Sequence, residues 1–304
     1  MALPTILPYK MPTASDLPRN KVTWTPDPKR AVLLIHDMQQ YFINAFTAGE
    51  SPIVDLIANI QALKSHCVAL GIPVIYTAQP GGQTTEQRGL QLDFWGPGLK
   101  DVPDQKQIVA DLAPSENDLQ LTKWRYSGFQ KTNLREILHE QGRDQMIICG
   151  VYAHIGCLLT ACDAFMQEVE AFYVADAVAD FSLDHHKMAL TYVAERCGVT
   201  MLTEDLMESL NQSNLLESGA PSATGKNDQL LTPALVREQV AELLQTSSAD
   251  LGEDEDLINS RGLDSIRIMS LVERWRRSGV EVSFVELAEQ PTLAKWYELL
   301  GAKA

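Results

Sequence analysis

Cations are scarce in this chain of 304 residues: 25 Lys and Arg stand against 40 Asp and Glu, a formal net charge of −15. A surface of that sign repels phosphate backbones, which argues against nucleic acid as a partner. Long apolar runs are missing as well. The longest, such as Ala31 to Ile35, fall far short of the roughly 20 residues that span a bilayer, so no membrane partner is expected. The five cysteines are an odd number and sit mostly in apolar stretches, a pattern of reduced thiols in a cytoplasmic protein rather than of a disulfide framework. The N-terminus, with Pro4, Pro8, Pro12 and Pro18, lacks the basic start and apolar stretch of a signal peptide. What is present is 45% hydrophobic and 21% charged, a globular composition at a length comfortable for two domains.

Residues 1–29 are Pro-rich and aperiodic, an extended arm expected to pack on the first domain. Ala31 to Ile35 is apolar on both faces, as in a central strand of a parallel sheet, and ends in His36-Asp37. Helical spacing from Ser51 to Leu70 is followed by a strand over Pro73–Thr77. Further strands are expected at Leu119–Thr122, Gln145–Cys149, Ala171–Val174 and Val199–Leu202. Helices are expected at Asn133–Glu140, Leu158–Glu168, Asp184–Arg196 and Glu204–Asn211. Such alternation predicts a Rossmann-like α/β domain over 1–212, its mostly parallel sheet flanked by helices. Ligands bind such sheets at the carboxyl ends of the strands. Asp37, Gln79, Lys123 and the Gly150–Gly156 turn all fall there, and the Gly- and Pro-rich stretch from Gln79 to Pro103 is long enough to read as a functional loop. Residues 213–228 turn to Ser, Gly, Ala, Pro and Thr, a flexible linker. Helices at Leu231–Leu244, Ser265–Arg277 and Thr292–Leu300, with a short helical turn around Phe284, predict a small helical bundle over 229–304.

Two residues of the first domain suggest chemistry. Asp37, at the end of a buried strand, is expected to be partly desolvated, which raises its pKa and suits it to donating a proton. Lys123, ending another strand, offers a cation for Asp37 or for a substrate carboxylate. His36 is expected to pack on the opposite face of its strand. No His, Asp or Glu group has metal-ligand spacing, so no metal is expected.

With the segment Cys149-Gly150-Val151-Tyr152-Ala153-His154-Ile155-Gly156-Cys157, the pattern resembles the isochorismatase-like cysteine hydrolases over about residues 1–212. Those proteins carry an Asp, a Lys and a nucleophilic Cys. Aligned on Gly150-Val151, the nucleophile position falls on Gly156, which has neither thiol nor hydroxyl. Cys157 lies about 100° round a helix from that position. An Asp–Lys pair without a nucleophile resembles the true isochorismatases, which cleave a vinyl ether. The resemblance implies that Asp37 and Lys123 are catalytic, and that Phe42, Gln79, Arg88, Trp95, Tyr152 and the Gly156 backbone bind isochorismate. Gly156 would leave room where a cysteine side chain would intrude.

In the tail, Gly262-Leu263-Asp264-Ser265 opens a predicted helix and follows the acidic run Glu253-Asp254-Glu255-Asp256. It resembles the attachment motif of acyl and peptidyl carrier domains, which implies a covalent 4′-phosphopantetheine on Ser265. A helix N-terminus favours the phosphate. The plainer reading is that Asp264 or Ser265 only caps the helix. Met269, Phe284 and Ala288 are candidate docking residues for partner enzymes, Phe284 equally a core residue.

Together the halves resemble the bifunctional isochorismatase/aryl carrier proteins of catechol siderophore assembly, of the enterobactin and vibriobactin type. That resemblance implies hydrolysis of isochorismate to pyruvate and 2,3-dihydro-2,3-dihydroxybenzoate. It implies as partners a phosphopantetheinyl transferase, a 2,3-dihydroxybenzoate-adenylating ligase and a condensation domain of a nonribosomal peptide synthetase, and it implies a homodimer. Two rival readings stay open here: a cysteine amidohydrolase using Cys157, and an inactive scaffold fused to a carrier.

Overall fold

Six strands, β1 (Ala31–His36), β2 (Val74–Ala78), β3 (Leu119–Thr122), β4 (Gln145–Val151), β5 (Glu170–Ala179) and β6 (Gly198–Met201), form one parallel sheet in the order β3-β2-β1-β4-β5-β6. The computed structural model describes residues 3–218, 232–244, 246–277, 280 and 282–301. The chain divides into two units, Met1–Ala220 and Pro221–Ala304.

In the first unit the helices are α1 (Gln40–Ile43), α2 (Ile53–Ala69), α3 (Thr85–Arg88), α4 (Gln91–Trp95), α5 (Pro103–Lys106), α6 (Leu134–Glu140), α7 (Leu158–Met166), α8 (Leu183–Arg196) and α9 (Thr203–Ser218). Every residue of β1 is buried, and its side chains serve two cores in alternation. Leu33 and Ile35 meet α2 and α9 on one face, and Val32 and Leu34 meet α6, α7 and α8 on the other. That double burial is what a strand without polar alternation requires. Chain order reverses between β1 and β4, so their carboxyl ends form the switch point where such sheets open a crevice. β1 and β4 approach closely there. A Cβ on Gly150, at φ 113°, would lie 2.2 Å from the His36 carbonyl, so only glycine fits.

Three expectations are corrected. The stretch from Gln79 to Pro103 holds α3, α4 and the start of α5, with Thr84 accepting from the Gln87 N–H as an N-cap. β5 continues five residues past Val174, to Ala179. Within that extension the Asp176 carboxylate accepts from the Thr203 N–H and Oγ1, both at 2.8 Å, and so caps α9. α9 continues to Ser218, into the expected linker, of which residues 219–228 lie outside the described residues. The Pro-rich arm lies on this unit, with Ile6 buried and bridged to Phe46.

The second unit contains α10 (Pro233–Leu244), α11 (Ser265–Arg277), α12 (Phe284–Glu289) and α13 (Leu293–Gly301). The turn expected around Phe284 is the helix α12, held by a reciprocal cap between Ser283 and Glu286. The core closes on Trp275 and Trp296, edge to face at 5.8 Å. Their indole N–H groups donate to Gln239 Oε1 and to the Leu287 carbonyl, so neither is left unpaired by burial.

Candidate active site

A pocket opens at the switch point, over the carboxyl ends of β1, β2 and β4. All eight residues expected in the first domain's site line it: Asp37, Phe42, Gln79, Arg88, Trp95, Lys123, Tyr152 and Gly156. Asp37 follows β1 at φ 49°, a left-handed backbone that a non-glycine residue adopts at a cost and that is enriched at functional positions. Its carboxylate is held on three sides. Lys123 Nζ donates at 2.9 Å, Thr77 Oγ1 at 2.7 Å and Gln79 Nε2 at 3.2 Å.

This pair reverses the expectation for Asp37. Burial alone pushes the carboxyl up, but the buried Lys123 ammonium and the Lys123 and Thr77 hydrogen bonds outweigh it, so its pKa lies below the ordinary carboxylate value. Asp37 therefore rests as a carboxylate. Arg88 is also buried, with Nε donating to the Gly96 carbonyl and Nη1 to Gln79 Oε1 at 3.1 Å. Among the described residues no carboxylate pairs with it. Burial lowers its pKa, a sign of an under-compensated cation. Gln39 fixes Gln79 from behind, accepting from its N–H and donating to its carbonyl.

Aromatic rings form one wall. Tyr152 stacks on Phe181 at 4.2 Å, Trp95 lies over Phe181 at 6.0 Å, and Phe42 meets Tyr152 edge-on. The Tyr152 hydroxyl donates to the Phe42 carbonyl, and Trp95 Nε1 donates to Tyr126 Oη.

Gly156 sits in a π-helical turn, Ala153–Cys157, that leads into α7. The room left by its missing side chain is already taken. A Cβ there would stand 2.2 Å from His36 Cε1. His36 is fully buried, donates from Nδ1 to the Val151 carbonyl at 3.0 Å, and is pushed down to about 4 by burial, so it is neutral. The glycine makes space for His36 rather than for a bound molecule. Cys157 is wholly buried among the apolar residues around α7, and burial pushes its thiol well above the usual range. Among the described residues no Cys, Ser or Thr lines the pocket.

His154 does not enter the pocket lining. Its Nδ1 lies 2.7 and 2.8 Å from the two Asp180 oxygens, and its ring stacks on His185 at 4.4 Å. The donor atoms of His154, Asp180 and His185 gather within 4.8 Å. The two rings are tilted by only 16°, so their in-plane lone pairs do not converge on one ion.

Several lining residues escaped the sequence reading: Leu3, Tyr41, Gln91, Tyr126, Ile155 and Phe181, besides Thr77 under Asp37. Phe181 follows the true end of β5, and the strand-end rule finds it once Asp176 is allowed inside a strand.

In the second unit Ser265 is the exposed first residue of α11. Asp264 Oδ1 accepts from the Arg267 N–H at 2.9 Å, so the cap belongs to Asp264 and the Ser265 hydroxyl is spared for other use. An exposed hydroxyl at a helix N-terminus fits a phosphodiester. Met269, one turn on, is half exposed, Ala288 is half-buried, and Phe284 is half-buried against the unit's core.

Comparison with known proteins follows this division. The model of the isochorismatase domain matches residues 31–205, and that of the phosphopantetheine attachment site matches 234–300. A protein of Bacillus subtilis (strain 168) named isochorismatase is 57% identical over 304 residues, all of this chain and 97% of that protein. Enterobactin synthase component B of Escherichia coli (strain K12) is 45% identical over 302 residues, 99% of each chain. A solved cysteine hydrolase from Pseudomonas syringae pv. phaseolicola 1448A matches with a TM-score of 0.56 at 24% identity, over 63% of this chain and 97% of its own, a likeness of fold alone. The chain belongs to the isochorismatase family, and a phosphopantetheine-attachment module follows its α/β domain.

Proposed function

We propose that the first unit is an isochorismatase: it hydrolyses the vinyl ether of isochorismate to pyruvate and 2,3-dihydro-2,3-dihydroxybenzoate. The observation that carries this reading is a pocket holding a buried carboxylate, two buried cations and an aromatic wall, with no thiol or aliphatic hydroxyl among the described residues that line it. Acyl transfer of the cysteine- or serine-hydrolase kind needs a thiol or hydroxyl nucleophile, which no described lining residue supplies. A dianion with a six-membered ring suits what it does offer: Arg88 and Lys123 for the carboxylates, and the Tyr152–Phe181–Trp95 wall for the ring.

The first step is protonation of the terminal methylene carbon by Asp37. Asp37 is ionised at rest, so substrate must change its charge. A substrate carboxylate that draws on Lys123 divides that cation between two anions, which raises the Asp37 pKa and lets it take a proton from water. Transfer of this proton to carbon leaves an oxocarbenium ion, which water captures. The hemiketal then collapses with cleavage of the C–O bond, and the proton released restores the balance. Gln79 and Thr77 hold the carboxyl in place throughout.

The second unit acts as an aryl carrier. Ser265 would hold a 4′-phosphopantetheine, which supplies a thiol for carrying an aryl acid as a thioester. Met269, with Phe284 and Ala288, belongs to the surface offered to the transferase, the adenylating ligase and the condensation domain. A homodimer and a cytoplasmic location complete the proposal, and no described helix is long and apolar enough to cross a membrane.

The test is pyruvate release from isochorismate by the full chain and by Asp37→Ala. Release by the first, with loss of about 100-fold or more in the second, supports general-acid catalysis by Asp37. Equal rates would remove Asp37 from that role, and no release from either would remove the activity.

A further inference from the structure

Five cysteines are free in this chain, and they fall into two classes. Cys67, Cys149 and Cys157 are wholly buried in the two cores beside the sheet. Burial pushes each of these thiols upward, which makes them inert. Cys162 and Cys197 differ. Cys162 lies on α7 and is half-buried, while Cys197 closes α8 immediately before β6. Their sulfurs are 3.8 Å apart, at van der Waals contact. Closing to a disulfide needs about 1.8 Å of approach between the sulfurs. A surface depression bordered by Lys21, Trp24, Phe165 and Arg196 reaches Cys197.

Within the pair the roles are unequal. Cys162 is half-buried, whereas Cys197 is buried at 5% exposure. Cys162, the more exposed of the two, is thus the sulfur that meets peroxide first, and Cys197 is the resolving thiol.

We infer that Cys162 and Cys197 form a reversible disulfide when the protein meets hydrogen peroxide, tying α7 to the end of α8. The Cys162 thiolate attacks one peroxide oxygen, the O–O bond breaks, and the departing hydroxide takes a proton to leave as water. The Cys197 thiol then attacks the sulfenic sulfur, the S–S bond forms, and the hydroxyl departs as a second water. Two thiols are oxidised, one peroxide is reduced to two waters, and a dithiol reductant reverses the change. The bond would sit at the amino end of β6, away from the carboxyl ends of the strands that hold the pocket.

The experiment treats the full chain with excess hydrogen peroxide, quenches it with catalase, and reads intact mass before and after dithiothreitol. The expected result is a reversible loss of about 2 Da, two hydrogens, and a melting midpoint raised by about 5 °C. Cys162→Ser and Cys197→Ser should each abolish both effects, and serine at either position changes little in volume. An unchanged mass, a gain of about 32 Da from sulfinic acid, or a 2 Da loss that survives in Cys162→Ser would overturn the inference. A lowered midpoint would overturn it too, because closure would then distort the helices it is meant to tie.

Discussion

Gly156→Ala adds one methyl group and tests how tightly the floor of the pocket is built. The new Cβ would stand 2.2 Å from His36 Cε1 and 3.0 Å from both ring nitrogens. Carbon atoms pack at about 3.5–4.0 Å, so the ring must retreat by roughly 1.3 Å or more. It has nowhere easy to go. His36 is fully buried, bonded through Nδ1 to the Val151 carbonyl, and its backbone is paired with Thr77 and Gly150 in the middle of the sheet. Overpacking of this kind costs about 1–3 kcal/mol. At roughly 2–4 °C per kcal/mol for a unit of this size, the melting midpoint should fall by about 5 °C. Asp37 is the next residue, and a displacement of about 1 Å at a reacting group costs on the order of 100-fold in rate. Differential scanning fluorimetry and pyruvate release read the two effects. The companion variants are His36→Ala and the double variant. If ring and methyl compete for one space, Gly156→Ala adds no further instability once the ring is gone, which is a coupling equal to the single-variant loss, about 1–3 kcal/mol. A single variant that melts with the wild type, or a double variant in which the two losses simply add, would refute the reasoning.

Arg88→Ala should raise KM for isochorismate by about tenfold or more while changing kcat less, since a charge-assisted contact to a carboxylate is lost from both ground and transition states. Steady-state kinetics check this, and an effect confined to kcat would contradict it. Stability should fall as pH drops from 6.5 toward 4. His36 and His186 are buried neutral and pushed down from 6.5 to about 4, so the unfolded chain binds more protons across that window and gains on the folded one. Each contributes roughly 3 kcal/mol to the decline, read as a falling melting midpoint through that window. The Asp37 contribution disappears only at lower pH, as pH falls through its depressed folded value. Ser265→Ala should abolish the mass gain on incubation with coenzyme A and a phosphopantetheinyl transferase. It should leave pyruvate release unchanged, since Ser265 lies in the other unit.

What the sequence makes legible follows from period and position. Ala31–Ile35 fits a doubly buried strand, and residues just past the strands of a parallel sheet gather at one edge, so the sequence already placed Asp37, Gln79 and Lys123 together. Ser265 was singled out because Gly262-Leu263-Asp264-Ser265 resembles a carrier attachment motif, and it stands exposed at the start of α11. Contacts between distant segments were not legible. Asp176 looks like the end of a strand until Thr203, 27 residues on, is seen to use its carboxylate. Phe181 was lost with it. Gly156 was read as room for substrate because nothing in the sequence says that His36, 120 residues earlier, fills that room.

The sign of the Asp37 shift is the sharpest case of the same limit. Burial and an adjacent cation pull a carboxyl in opposite directions, and neither residue type decides which wins. Distance decides. Lys123 Nζ lies 2.9 Å away in a site where both side chains are buried, so solvent screens the attraction little. The acid that the proposed reaction needs is therefore not present in the resting pocket. This also gives the cations a second role. A neutral ligand would leave the Asp37–Lys123 pair intact and Asp37 unprotonated. An anionic ligand that reaches Lys123 weakens the pair and supplies the condition for proton uptake. The charge of the substrate would then select it twice, once in binding and once in arming the acid, which a pocket built on a permanently protonated carboxyl could not do.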